Sequence, residues 1–501
     1  VSPNLPPLGL PVVAGLTVDE RIERGRTARK RCPRSTVADW APAADRVDPV
    51  SLLEQQNVRR DADLLPLRHQ RMSASPFAFY RGSAIVMAAD VGAGPHSGLV
   101  VQLCGDAHLA NFGGFAAPDR QLVYDLNDFD ETHPGPFEWD VQRLAASVVL
   151  AARHRGFSPE ECRDMTLGTV RTYREAMSTF AAMSNLDVFY SRLDSSEIER
   201  WWAQEAGAKS LRRFEAMMAK GETKDRLRAQ AKLTELVDGR RQFLSQPPLL
   251  VPADELTGEP VERVQLALDV VLAEYRETLP HASRRLLDRY RPTDLARKVV
   301  GVGSVGTRCW VALFEGRDDD DPLFLQVKEA NASVLEQHTT SCDYPNHGQR
   351  VVEGQRLIQA TTDVLLGWHR GVDFAGGGDR DYYARQLWDW KTTANLDTLR
   401  RRGLDAYSRL CGQVLARAHA RSGDPVAIGA YLGTGVAFDE AMTTFAHAYA
   451  DQAERDHASM VEAIESGRLV SEPQAAVDAE AAPDDGDGDG KGDDDVVAAP
   501  S

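Results

Sequence analysis

Two stretches of this chain combine residue types and spacing that could do chemistry. In Gly105-Asp106-Ala107-His108-Leu109-Ala110-Asn111, a carboxylate, an imidazole and an amide follow the apolar run Leu99–Leu103, which reads as a short buried strand. Asp106 and Asn111 stand five positions apart. That offset suits phosphoryl transfer, in which the acid takes the proton of an attacking hydroxyl while the amide oxygen binds magnesium beside it. A second acid must then hold the metal against the phosphates. Asp128-Phe129-Asp130 offers one, after a turn at Ala117–Arg120 and an apolar strand over Leu122–Leu126. Alone, Asp-x-His is ordinarily a surface turn and Asp-Phe-Asp a common tripeptide; in this order, joined by strands, they form a candidate site. Asp106 reads as the base, and Asn111 and Asp128 as metal ligands. Asp130 reads as a second ligand or a solvated acid, Asp125 as a turn-bonding acid, and His108 as a loop brace ahead of a catalytic group. Zinc is not expected, because neither Cys104 nor His108 has a second pair of ligands at zinc spacing.

These residues need elements to hold them. A helix beginning near Trp139-Asp140, with Val141, Leu144, Ala145, Val148 and Ala152 on one face, would place Asp140 where it can bond free amides or brace the loop. Upstream, 50–91 has a helical pattern. Its Arg68, Arg71 and Arg81 surround the run Pro76-Phe77-Ala78-Phe79-Tyr80, and either grip a phosphate or carboxylate or pair with Asp128 or Asp130. After Asp140 the chain reads as helical for about 150 residues, with a capping-box start at Ser158-Pro159-Glu160-Glu161, a loop over 246–258 and a helix over 261–279. The texture changes at Lys298. A strand enters Gly301-Val302-Gly303-Ser304-Val305-Gly306, and strands over 309–314 and 323–328 follow. Glycines let backbone amides approach phosphate oxygens, and a lysine on the next strand, Lys328, can neutralise them. A dinucleotide-binding loop would need a helix immediately afterwards, and strands come instead. Glu353 or Glu336 would hold Lys328, and the strand Tyr382–Leu387 could border an adenine ring.

The motifs Gly105-Asp106-x-His108-x-x-Asn111, Asp128-Phe129-Asp130 and Trp139-Asp140-Val141-x-Arg143-Leu144-Ala145 resemble the catalytic half of aminoglycoside phosphotransferases and choline kinases, members of the protein-kinase-like superfamily. The phrases RMSASPFAFYRGSA, GDAHLANFG, DLNDFDETHPGPFEWDVQRLAAS and QRVVEGQRLIQ are similar to an uncharacterised bacterial family, domain of unknown function 2252, over about residues 20 to 460. The first resemblance implies an α+β, two-lobe fold with a mainly helical catalytic lobe and a small antiparallel nucleotide lobe; the second supplies no substrate. Gly301, Gly303 and Gly306 with Lys328 follow Asp106 by about two hundred residues, the reverse of the order in ordinary kinases, so a circular permutation is expected. The expected parts are a leader and basic arm over 1–47, the catalytic lobe over 48–291, the strand lobe over 292–393, returning helices over 394–470 and an acidic tail over 471–501.

Composition bounds the partners. A chain of 501 residues with 43% hydrophobic content can bury a large core. Of its net charge of −17, the last 31 residues contribute about −9 through ten acids and one lysine, leaving a moderately acidic body that argues against nucleic-acid binding. Six cysteines without framework spacing, and no apolar leader, suggest the reducing cytoplasm, and no apolar run is long enough to span a membrane. The basic stretch Arg21–Arg34 reads as a solvated helix or arm. In the tail, Asp485 to Gly490 resembles the start of a calcium loop, but Val496 stands where a bidentate glutamate belongs, and disorder is expected. The leading expectation is an ATP- and Mg²⁺-dependent phosphotransferase acting on a hydroxyl-bearing acceptor. AMP transfer from the same site and a non-catalytic nucleotide-binding scaffold are the alternatives.

Overall fold

The computed structural model describes residues 10–472, apart from most of 206–224 and from 373–377 and 388–389. The acidic tail from 473 onward, with its calcium-like stretch, lies outside the described residues, as do residues 1–9 of the leader.

The helical part is built around one helix that is buried along almost its whole length. The helices before it are α1 (Val18–Arg31), α2 (Pro49–Asn57), α3 (Leu65–Ser73), α4 (Pro76–Gly82) and α5 (Ala84–Gly92). Next comes α6 (Phe137–His154), buried at every residue from Phe137 to Ala152. Its polar residues Glu138, Asp140, Gln142, Arg143 and Ser147 are buried with the rest and so need partners inside the protein. It is surrounded by α4, by α7 (Pro159–Ala182) with the capping box at Ser158 and Glu161, and by helices from the far end of the chain. Those helices are named below with the segments that precede them.

After α7 come α8 (Asn185–Tyr190), α9 (Ser195–Glu205) and α10 (Arg226–Leu233). The expectation of continuous helix from 140 onward fails here. Asp238 and Gly239 both have positive φ, 49° and 77°, and close a two-residue hairpin between Thr234–Val237 and Arg240–Phe243. An Asp-Gly pair is a strong hairpin signal, and it was present in the sequence. The supposed loop over 246–258 also has structure, in the strand Leu250–Pro252 and the helix α11 (Ala253–Thr257). Helices α12 (Val261–Thr278) and α13 (His281–Leu287) follow, and later α14 (His347–Ile358), α15 (Arg401–Ser422), α16 (Pro425–Leu432) and α17 (Ala437–Glu465). Of these, α15 and α17 pack against both α6 and α7.

Strands β1 (Val100–Leu103), β2 (Phe112–Ala116), β3 (Leu122–Leu126) and β4 (His133–Pro136) make two antiparallel pairs, β1 with β4 and β2 with β3. The hairpin at 234–243 supplies β5 and β6. Among the described residues, six strands form the largest sheet. These are β7 (Leu250–Pro252), β8 (Arg291–Lys298), β9 (Cys309–Glu315), β10 (Pro322–Glu329), β11 (Gly367–Val372) and β12 (Asp379–Gln386), ordered β11-β12-β10-β9-β8-β7 and antiparallel throughout. The architecture is therefore mixed α+β. Strand β8 ends at Lys298, where a new strand was expected to begin, and 299–308 is a turn. The sheet also starts before the expected boundary at 292, because β7 joins its edge. Period-two alternation fixes the two faces. Trp310, Ala312 and Phe314 pack with Leu268 and Tyr275 of α12, whereas Val311 and Leu313 pack with Leu233 of α10 and Phe243 of β6.

The basic segment expected to be a solvated arm is docked. Gly25 of α1 lies against α16, where a Cβ would come within 2.1 Å of the Ala427 carbonyl oxygen. Arg21 pairs with Asp424 at 2.8 Å, and Arg29 donates to the Tyr431 carbonyl at 2.8 Å. A helix whose arginines find carbonyls and a buried acid is held in place, whatever its charge density suggests. Among the described residues, no helix is long and apolar enough to cross a membrane.

Candidate functional site

The loop after β1 is set by α6. The Asp140 carboxylate accepts the backbone N–H groups of Cys104 at 2.7 Å and Gly105 at 3.0 Å. Behind it, His419 of α15 stands 3.2 Å from Asp140 and 2.8 Å from the Tyr173 hydroxyl. Asp140 thus braces the loop, one of the two roles expected from the sequence. Gly105 has a φ of 85°, and a Cβ on it would come within 2.1 Å of the Glu131 carbonyl oxygen. Only glycine fits where the two loops pass this closely.

Asp106 does not stand alone. Its Oδ1 accepts from Arg143 Nε at 2.8 Å and lies 2.8 Å from Arg143 Nη2 in an ion pair, and the Arg143 guanidinium lies 3.8 Å from the centre of the Tyr80 ring. Arg143 sits one turn after Asp140, so a single helix orients both the loop backbone and its acid. The sequence motif contained Arg143, but its role depended on where the loop would pass. His108 Nε2 is 3.7 Å from Asp106 Oδ2, and burial pushes the imidazole down to about 4, against the pull of Asp106. A neutral imidazole that holds a proton only below about 4 is a weak base at neutral pH, and the expected hydrogen-bonded brace is not seen either: Nδ1 is buried without a partner and Nε2 stands beyond hydrogen-bond distance of Asp106.

This has a measurable consequence. The unfolded imidazole titrates near 6.5, and the folded one holds its proton only below about 4. In that window the unfolded state binds more protons, so His108 contributes stability that is full above pH 6.5 and is lost as pH falls toward 4. Unfolding in urea at pH 7 and pH 4 should show the parent losing about 3 kcal/mol more than His108→Gln between the two pH values. Equal losses in the two proteins would mean that His108 does not titrate as described.

Asn111 ties the two loops together. Its Nδ2 donates to the carbonyls of Asp106 at 2.9 Å and Asp128 at 3.1 Å, and its Oδ1 accepts the Asp128 N–H at 2.7 Å. The oxygen expected to face a metal is therefore already engaged by the backbone of the next acid.

Lys328 of β10 reaches across from the sheet. Its Nζ donates to Asp128 Oδ1 at 3.1 Å and Asp130 Oδ2 at 2.6 Å, although 200 and 198 residues separate the partners. Burial of the carboxyl opposes ionisation, but Lys328 and Arg385 outweigh it and hold Asp128 at about 2. Tyr383 of β12 donates its hydroxyl to Asp130 Oδ1 at 2.7 Å, and Arg385 donates to the Asn127 carbonyl at 2.8 Å. The strand over 382–387, expected from the sequence to border an adenine ring, is seen here to position the acids. Neither expected partner holds the lysine. Glu353 pairs with Arg356 at 2.9 Å, because Val351, Val352, Gly354, Gln355 and Ile358 are the residues that α14 buries. Glu336 accepts from the Cys342 N–H at 2.9 Å. What α14 contributes instead is Arg350, which donates to the carbonyls of Thr132 at 2.5 Å, Asp130 at 2.8 Å and Asn331 at 2.7 Å. Sequence carries no signal for a contact made entirely to backbone oxygens.

The glycine turn closes over the same place. Gly301, Gly303, Ser304, Asp106, Asn111 and Asp128 line one cavity of about 1160 Å³, which Asp130 and Glu131 also border. Burial pushes Glu131 up to about 7. Gly306 is not among the lining residues. It has a φ of 86°, packs on Arg60, and accepts the Asp61 N–H at 2.7 Å. Of the upstream arginines, Arg68 is buried on Asn57, Gln56 and the Gly82 carbonyl, and Arg71 donates to the Gly301 carbonyl at 2.8 Å. Arg81 lines the cavity, and none of the three pairs with Asp128 or Asp130.

Hard oxygen donors suit magnesium, which binds through one or two carboxylates and completes its shell with phosphate and water. Asp128 and Asp130 at the cavity wall fit that pattern. Among the described residues, no cluster of three or more His, Cys, Asp or Glu could hold a metal, so a metal at this pair would depend on further oxygens from a ligand.

A family model described as an uncharacterised protein conserved in bacteria, domain of unknown function 2252, matches residues 60–463. Neither the curated proteins nor the solved structures give a match.

Proposed function

The chain belongs to the family of domain of unknown function 2252, and from that premise we propose that its site transfers a phosphoryl group from ATP to a hydroxyl, on a protein-kinase-like two-lobe fold joined in circularly permuted order. The observation that carries the reading is the meeting of Lys328 with Asp128 and Asp130 across some two hundred residues, the two acids lining one cavity with Asp106 and the glycine turn. A cation and two acids beside a glycine turn are the parts needed to hold a triphosphate and its metal. Strand β8, the turn at 299–308, β9, β10 with its lysine and α14 then form the nucleotide lobe, and α6 with the loop at 105–111 forms the catalytic one.

Gly301 and Gly303 bring backbone amides near the phosphates, and Lys328 exchanges its acidic partners for phosphate oxygens. Asp128 and Asp130 would hold Mg²⁺, which supplies neutralisation of charge on the phosphate oxygens. Asp106, fixed through Oδ1 by Arg143, keeps Oδ2 to receive the acceptor's proton. The acceptor oxygen bonds to the γ-phosphorus as the bond to ADP breaks, and ADP departs with the electron pair. Because the loop is held at both ends by α6, much of the acceleration comes from positioning.

Incubation with Mg²⁺ and ATP labelled separately at the α- and γ-phosphorus, across a panel of hydroxyl-bearing acceptors, tests the reading. Transfer of the γ label is the expected result. Transfer of the α label would make the protein an AMP transferase, and a melting temperature unmoved by saturating Mg²⁺–ATP would end the nucleotide reading altogether.

A further inference from the structure

Arg81, the penultimate residue of α4, is placed as a receptor for a negative charge. It lines the cavity, its Nε is buried without a hydrogen-bond partner, and it has no ion-pair or hydrogen-bond partner among the described residues. Its neighbours Arg68 and Arg143 show the alternative. Each is buried and spent on protein acceptors, Arg68 on Asn57, Gln56 and Gly82, and Arg143 on Asp106 and Tyr80. A largely buried guanidinium without an acceptor is costly to keep. The cost is offset when a ligand brings the missing oxygens.

Its place in the cavity tells which ligand. Arg81 follows Tyr80, whose carbonyl accepts from the same Arg143 that holds Asp106, and while burial pushes the Arg81 guanidinium down, Asp106 and Asp397 pull it back. His108 also feels Arg81. Arg81 therefore reaches toward Asp106, from a backbone that passes the glycine turn, where a Cβ on Gly303 would come within 3.1 Å of the Arg81 carbonyl oxygen. Asp397, the other acid on this side, is exposed and stands 3.5 Å from His154 Nε2. Phe77, Ala78 and Leu396 provide apolar wall between them.

We propose that the acceptor carries, besides its hydroxyl, a carboxylate or phosphate group that Arg81 grips as a two-pronged donor, setting the hydroxyl against Asp106. This rests on the transfer reading given above and names its substrate class, an anionic small alcohol. A guanidinium fork matches both anions, and binding the far end of the molecule fixes the distance from anion to reacting oxygen.

Thermal shift and calorimetric titration of the full chain, with and without Mg²⁺–ATP, would use three probes of similar size: glycerol 3-phosphate, glycerate and glycerol. One or both anions should bind, glycerol should not, and the stronger of the two identifies the group. Arg81→Ala should bind the anionic probe at least about tenfold more weakly, Arg81→Lys should fall between, and the shift given by Mg²⁺–ATP should persist in both. Arg81 donates to no protein group among the described residues, so the variants are expected to fold, and their unliganded melting temperatures check this. Anion binding unchanged in Arg81→Ala, binding of glycerol equal to that of the anions, no binding of either anion, or loss of the Mg²⁺–ATP shift in place of the anion shift would each overturn the proposal. Arg81-dependent anion binding in a protein that ignores Mg²⁺–ATP would keep the anion site and discard the transfer reading.

Discussion

Lys328→Met is expected to abolish the stabilisation of the protein by Mg²⁺–ATP. In the parent, nucleotide at about a hundred times its dissociation constant adds roughly 2.7 kcal/mol, which a melting curve resolves easily. On the proposed reading the variant loses the cation that would face the phosphates, and any transfer activity should fall by about 10²- to 10³-fold, the scale seen when one preorganised charge or donor is removed from a developing anion. A second readout comes from the acids themselves. Lys328 is a principal reason that Asp128 is held at about 2 instead of 3.8. A carboxyl with a depressed folded pKa contributes stability that is present above its unfolded value and lost as pH falls through the folded one. The parent should keep that contribution down to about pH 4 and lose it toward pH 2, whereas Lys328→Met should show little of it. Because the Asp128 side chain is 44% exposed, solvent screens the pair and the acid effect will be modest. If Mg²⁺–ATP stabilises parent and variant alike, Lys328 has no part in nucleotide binding and the two halves of the chain do not share one nucleotide site.

The largest loss of stability is expected at a different pair. Arg417 of α15 donates through Nη2 to Asp125 Oδ1 at 2.5 Å and Oδ2 at 2.6 Å, with side-chain exposures of only 2% and 1%. The same Nη2 reaches the Ile358 carbonyl at 3.1 Å, while Asp125 Oδ2 also accepts the Ala360 N–H at 2.9 Å. Strand β3, the end of α14 and α15 thus meet on one ion pair. Arg417→Leu leaves the Asp125 charge buried without its partner and should cost about 3–5 kcal/mol. Adding Asp125→Leu removes the stranded charge and should recover much of that loss, since the desolvation of both ions is no longer required. Urea unfolding of the two single variants and the double variant measures the coupling. A single variant within about 1 kcal/mol of the parent would show that the pair is not buried as described.

Much of the candidate site was legible because its spacing is local. Asp106 and Asn111 lie five residues apart on one loop, Asp128 and Asp130 follow a strand whose limits the apolar run Leu122–Leu126 marks, and Asp140 opens a helix whose periodicity is plain. Strands β9 and β10 were recoverable for the same reason, whereas the strand expected from Lys298 into the glycine turn is absent, β8 ending where it was to begin. Where a local signal was passed over, as with Asp238-Gly239, a hairpin was mistaken for helix. The basic arm misled in a different way, because charge density does not reveal whether carbonyls and a buried acid wait at the other end of the chain.

What the sequence alone determined, then, is the order of the elements and the identity of the groups with chemistry to offer, since hydrophobic period, turn residues and short motifs act over a few residues. Tertiary structure decided their partners. Lys328 took Asp128 and Asp130 and left Glu336 and Glu353 to others. Arg143 took Asp106, Arg350 took three carbonyls, and Arg81 was left facing the cavity. An ion pair between residues two hundred positions apart depends on how helices and sheet pack, and the low dielectric of that packing gives the pair its strength.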